Sequence, residues 1–211
     1  MHQRVGRRAL AVGLLTSLVG VGMFSTASSS AQSRSLIADV RDVNNETVGT
    51  LRLTPAGHGK TRVKFTGWDL SPGFHGFHIH TTGQCDPAAT DTTGKTSPFF
   101  SAGGHYNPDP SKTHGSHAGD MPPLYVTADG TAALIFETDR LQARDLMDAD
   151  GSAVVIHASP DNLAHIPATT PTGGERYHSH VDSVLGADTL TKATGDAGAR
   201  FACGVLGRRA S

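Results

Sequence analysis

The chain has 211 residues, among them 25 Gly, 11 Pro and 2 Cys, with 37% hydrophobic and 18% charged residues. That balance suits one folded domain and excludes a disordered or collagen-like polymer. Lys plus Arg number 18 and Asp plus Glu 19, a formal charge of −1, so no bulk positive charge exists to hold the chain on nucleic acid. Twelve histidines stand against one Trp and three Tyr. His is the commonest metal ligand and the proton carrier nearest neutral pH, so the histidine positions are the ones to follow.

The chain opens with Arg4, Arg7 and Arg8 and no acid, then an uncharged apolar run from Ala9 to Phe24, then small polar residues ending in Ser29-Ser-Ala31. This pattern predicts a secretory signal peptide over residues 1–31 and a mature domain over 32–211. The apolar run is shorter than the ~20 residues that span a bilayer, so no stable membrane insertion is expected after cleavage. Arg7-Arg8 is compatible with twin-arginine export. The mature chain keeps 15 basic against 19 acidic residues, a formal charge of −4, and is expected to be secreted or otherwise extracytoplasmic. An oxidising compartment makes a Cys85–Cys203 disulfide the default.

The mature sequence predicts short strands at Leu36–Val40, Val48–Thr54, Thr61–Trp68, Gly76–His80, Leu124–Thr127, Ala132–Thr138, Ala153–His157 and Phe201–Leu206, most of them bounded by turn residues. In Thr61–Trp68, Val63 and Phe65 alternate with Arg62 and Lys64, the mark of a strand wet on one side. Eight such strands predict an all-β fold, an antiparallel sandwich or barrel. Only Arg140–Ala149 reads as helical, with Asp139 as its cap and Gln142 three residues on. Two long segments rich in Gly and Thr interrupt the pattern, Thr81–Pro123 and Ala158–Arg200. Loops of that length are functional or disordered.

In Gly76-Phe-His-Ile-His80 the two histidines stand at i and i+2, so on a strand they project from one face while Phe77 and Ile79 turn away. The first long loop adds His105, His114, His117 and Asp120. Three nitrogens and a carboxylate make a tetrahedral zinc set, and one ion can cross-link a Gly/Pro-rich loop that has little else to hold it. His157 closes the apolar strand Ala153-Val-Val-Ile-His157. With His78, His80 and His105 it completes four imidazoles, a set suited to copper, and His105 then serves both ions.

These motifs, with Gly-Gly-His-Tyr-Asn-Pro108, His117-Ala-Gly-Asp120 and Gly195-Asp-Ala-Gly-Ala-Arg-Phe-Ala-Cys-Gly-Val205, occur in one order over residues 36–206. On them the chain resembles the copper,zinc superoxide dismutases. The resemblance implies an eight-stranded Greek-key barrel with two long functional loops, and superoxide as substrate. It implies copper on His78, His80, His105 and His157, and zinc on His105, His114, His117 and Asp120, with His105 as the bridge. It further implies a Cys85–Cys203 disulfide, Arg200 beside the copper, and Asp161 bonded to one copper ligand and one zinc ligand. The rival reading is a secreted copper-binding protein on the same scaffold without turnover. A homodimer is compatible with such a sandwich, since a dimer face needs only a few apolar surface residues.

Between Ala164 and Gly195 the charges Glu175, Arg176, Asp182, Asp188 and Lys192 are mixed, so no lysine-rich guidance loop is expected. His165, His178 and His180 fall outside the ligand sets; Tyr177-His-Ser-His180 reads as a polar loop in preference to an accessory metal site. His58 and His75 read as turn histidines.

Overall fold

The computed structural model describes residues 35–208; the expected signal peptide lies outside them. Strands β1 (Leu36–Asp42), β2 (Thr47–Gly57) and β3 (Lys60–Gly67) form a meander. Burial along β3 alternates strictly, with Thr61, Val63, Phe65 and Gly67 inward, as the Thr61–Trp68 pattern predicts. The β2–β3 turn is Gly57-His58-Gly59, all three residues at positive φ, so His58 is the turn histidine it was expected to be.

The chain continues through β4 (Gly73–His75), β5 (Phe77–His80), β6 (Leu124–Val126), β7 (Ala132–Thr138), β8 (Ala153–His157), β9 (His178–Ser179), β10 (Val184–Leu185) and β11 (Arg200–Val205). Seven strands make one antiparallel sheet in the order β5-β8-β11-β1-β2-β3-β7, curled into a Greek-key sandwich. β4 pairs with β6 and β9 with β10 in two-stranded ribbons. These three extra short strands, β4, β9 and β10, are too brief to show a period of two.

Inward residues of both layers, including Leu51, Leu53, Phe65, Phe77, Ile79, Leu124 and Ile156, form the main core. A second cluster gathers Phe99, Ala102, Ala153, Val155 and Cys203. There Cys85 and Cys203 are joined in a disulfide that spans 118 residues of sequence and fastens the first long loop to β11.

The helix expected over Arg140–Ala149 is only a 3-10 turn at Ala143–Leu146, and Asp139 does not cap it. The Arg140 N–H goes to Thr138 Oγ1, and the Leu141 carbonyl accepts from Thr61 Oγ1, which removes it from a helical ladder. The one α-helix among the described residues, α1 (Thr189–Thr194), was not anticipated. Its start is capped by Asp188, which accepts from the Thr191 N–H, and it ends at Gly195 with φ 64°. Three threonines in six residues hide it from a propensity reading.

Candidate metal centre

β5 supplies the first two ligand candidates. Phe77 and Ile79 join the core, while His78 and His80, 0% and 1% exposed, turn the other way. One edge of β5 pairs with β8, setting His78 against Val155 and His80 against Ala153. The other edge is covered by the first long loop: the Ile79 N–H donates to Gly119 O, the Tyr106 N–H to Ile79 O and the Thr81 N–H to Gly104 O. This lateral pairing bridges His80 to His105 and His78 to Asp120. Gly119 lies so close to the Ile79 carbonyl that a Cβ has no room there.

Two overlapping sets of donor atoms result, each mutually within 4.8 Å: His78, His80, His105 and His157, and His78, His105, His114 and Asp120. His105 belongs to both. His117 lies just outside the second, with Nδ1 3.5 Å from Asp120 Oδ1.

Hydrogen bonds decide which ring nitrogen is left for an ion. His80 Nδ1 donates to Gly103 O at 2.9 Å and His157 Nδ1 to Gly198 O at 3.1 Å. Their Nε2 atoms are thereby left as acceptors, 3.4 Å apart. His78 is reversed: Nε2 is bonded to Asp161 Oδ2 at 2.6 Å, and Nδ1 is free. The other Asp161 oxygen takes His114 Nε2 at 2.8 Å, so His114 presents Nδ1 toward Asp120 and His105 Nδ1, at 3.1 and 3.2 Å. His78 Nδ1 and His117 Nδ1 are buried with no hydrogen-bond partner. Buried nitrogens of that kind need a partner, and a metal ion supplies one; the donor set fits two such ions.

Electrostatics favour the same reading for three of the rings. Burial lowers His157 to about 3 and His78 to about 4, and holds His80 well below the usual range, so these rings stay neutral as ligands must be. His114 differs: burial opposes its protonation, but Asp120 and Asp161 on its two nitrogens prevail and raise it to about 9, so an ion bound at its Nδ1 displaces a proton. Both carboxylates are held below the ordinary range, despite burial, by the histidines they bond.

Arg200 is paired with His157 across the β8–β11 ladder. Its guanidinium donates to Phe99 O and Gly103 O and lies 5.3 Å from the Phe100 ring centroid. Gly103 O therefore receives both His80 and Arg200. Burial lowers Arg200 only to about 10, which leaves it cationic at neutral pH.

A model of the copper/zinc superoxide dismutase family matches residues 47–206. The chain belongs to that family. Family members carry copper and zinc, and the histidine sets described above can hold metal ions of this kind. The chain is 43% identical over 139 residues to the superoxide dismutase [Cu-Zn] of Mycolicibacterium paratuberculosis, which covers 65% of this chain and 58% of that protein. Against the Deinococcus radiodurans protein of the same name it is 34% identical over 167 residues, 75% of this chain and 91% of the other. The alignments span about three-fifths of the length of the mycobacterial relatives. Among solved structures, the Cu/Zn superoxide dismutase from Brucella abortus superposes with TM-score 0.58 at 28% identity, covering 82% of this chain and 99% of that one. A SOD-like protein from Bacillus subtilis gives TM-score 0.54 at 27% identity, over 81% of this chain and 97% of the other.

One residue near the centre corrects the sequence reading. His75 is no turn histidine: it ends β4, is 4% exposed, and places Nδ1 2.7 Å from His157 O and Nε2 2.8 Å from Ser71 O. It thus props the backbone that carries His157. The available signal was the His75-Gly-Phe-His78 string beside the ligand pair. Gly76 between them packs against Ala197 and His78, with no space for a side chain.

Proposed function

We propose that the protein is a superoxide dismutase, with copper held by His78 Nδ1, His80 Nε2, His105 Nε2 and His157 Nε2, and zinc by His105, His114, His117 and Asp120. His78 has one free nitrogen and can serve one ion only, so His117 Nδ1, buried and unpartnered, is the better fourth donor on the zinc side. The observation that carries the reading is His105, the one imidazole common to both donor sets besides His78.

Bound copper supplies a one-electron couple, by which one superoxide is oxidised to oxygen and a second, with two protons, is reduced to hydrogen peroxide. The chain does the rest. Arg200, fixed by Phe99 O and Gly103 O, attracts the anion and offers it a planar pair of N–H donors. His105 is held at Nδ1 by Asp120 and His114, so its Nε2 is placed to take up a proton and hand it on. Asp161 fixes the tautomers of His78 and His114 together. Burial of the remaining rings keeps competing water and protons off the centre.

The N-terminal pattern supports a cleaved leader over residues 1–31, a mature domain over 32–211 and an extracytoplasmic location, where a Cys85–Cys203 disulfide persists. No helix among the described residues is long and apolar enough to cross a membrane. The exposed Phe74 and Tyr125, with ring centroids 5.0 Å apart, offer an apolar patch for a homodimer.

The test is metal content and superoxide consumption on the mature protein, repeated with His157→Ala. One copper and one zinc per chain, with activity lost in the variant, is the expected result. Bound copper without superoxide consumption, with the disulfide intact, moves the chain to the copper-binding class.

A further inference from the structure

Two histidines stand apart from the buried centre and near each other. His178 lies in β9 and His180 in the turn directly after it; both are exposed, and Oγ of Ser179 between them donates to Asp188 Oδ2 at 2.9 Å. The two rings lie near one another, with centroids 5.1 Å apart. An imidazole bound to an ion at about 2.0 Å has its centroid ~3.2 Å from that ion, so two rings at about 90–110° lie ~4.5–5.2 Å apart. The exposed pair meets that spacing, as do His105 and His114 in the buried centre at 5.0 Å.

We propose that His178 and His180 form a second, surface metal site that chelates Cu(II), with water in the remaining positions. Copper is favoured over zinc and the other divalent ions because it heads their affinity order and accepts a tetragonal arrangement with only two nitrogens. The hairpin is no isolated loop. Ser179 bonds to Asp188, which caps α1, and Lys192 O in α1 accepts the His114 N–H at 2.7 Å. An ion captured at β9 thus sits on the segment that roofs the buried zinc side. The proposal does not depend on dismutase activity.

The test titrates copper(II) chloride into the untagged full chain already loaded with copper and zinc, beside His178→Asn, His180→Asn, the double variant, and His58→Asn as a lone-histidine control. Dialysis counts the ions and electron paramagnetic resonance reads their ligands. The expected result is one further copper per chain with an axial spectrum showing nitrogen coupling. Each single variant should bind it at least about tenfold more weakly, by analogy with the loss of even an outer partner of a metal ligand. The double variant should lack it and the control keep it. His180 lies beyond the paired residues of β9, so its replacement leaves the ladder intact and reads the site even where the double variant is unstable. Uptake of the same extra copper, with the same spectrum, by His180→Asn overturns the proposal, as does wild-type protein that takes up none.

Discussion

His78 and His114, drawn from a strand and a loop, are hydrogen-bonded to the two oxygens of one carboxylate, that of Asp161. Each ring is thereby locked with Nε2–H outward and Nδ1 inward, so a single side chain sets the tautomer on both halves of the centre. Asp161→Asn can accept from only one of the two rings. It is expected to lower zinc affinity by about 10–100-fold while the fold persists, as measured by competition with a chelator.

The metal-free chain should be acid-sensitive well above the carboxylate range. His78 and His157 titrate near 6.5 when unfolded but at about 4 and about 3 when folded, because burial disfavours their charged forms. The stability linked to them is therefore full above about pH 6.5 and is lost as pH falls toward those values. His114, raised to about 9, acts oppositely, contributing below pH 6.5 and fading as pH rises through 9. Burial also lowers His80, so lowered rings outnumber the raised one. Calorimetry in EDTA should show the melting temperature falling steadily from pH 7 to 4.5; a flat profile would contradict this account.

Gly195 closes α1 at φ 64°, and a Cβ built on it runs into Asp161 Oδ1 and His114 Nε2. Gly195→Ala should cost about 1–2 kcal/mol for the left-handed backbone alone. It should also displace Asp161, so denaturant melts and zinc retention are expected to fall together. Gly173, also at positive φ but with open space around it, should show the backbone cost without the zinc loss.

Arg200→Leu removes the cation beside His157, and kcat/KM for superoxide should fall by roughly 10-fold or more, with loss of most of its ionic-strength dependence. Arg200→Lys keeps the charge but not the two-pronged donor. Its rate should lie between, with the salt dependence kept. Stopped-flow consumption at several ionic strengths separates the two.

Reduction, or Cys85→Ser with Cys203→Ser, opens a link across 118 residues. Chain entropy puts its contribution at roughly 4–5 kcal/mol. Because Cys203 is three residues from Arg200 and the Phe99 cluster packs against it, the mouth of the site should loosen too. Paired melts with and without reductant check the first effect, and Arg200-dependent rates the second.

Much of this was legible from residue order. Strand β3 announces itself because Val63 and Phe65 alternate with charge, and β5 because two histidines and two core residues share four positions. What stayed hidden is what tertiary contact decides. The Thr61 hydroxyl takes the Leu141 carbonyl from the helix that Arg140–Ala149 otherwise suggests. His75 looks like a turn residue until β4 is seen to pair with β6 and bury it. His117 is clear in the zinc motif, yet of the four its donor atom sits furthest from a closed set. The Ser179–Asp188 bond beside His178 joins positions nine apart across a turn, which no periodicity reports.

The covering of β5 by the first long loop has a consequence beyond catalysis. β5 is the terminal strand of the seven-stranded sheet, and its outer backbone groups are satisfied by Tyr106, Gly119 and Met121, residues interleaved with His105, His117 and Asp120. Whatever loosens those ligands also bares a short sheet edge, the kind of template on which chains associate with one another. Metal ions on this loop would thus guard solubility as well as reactivity, and depleted protein should self-associate before it unfolds.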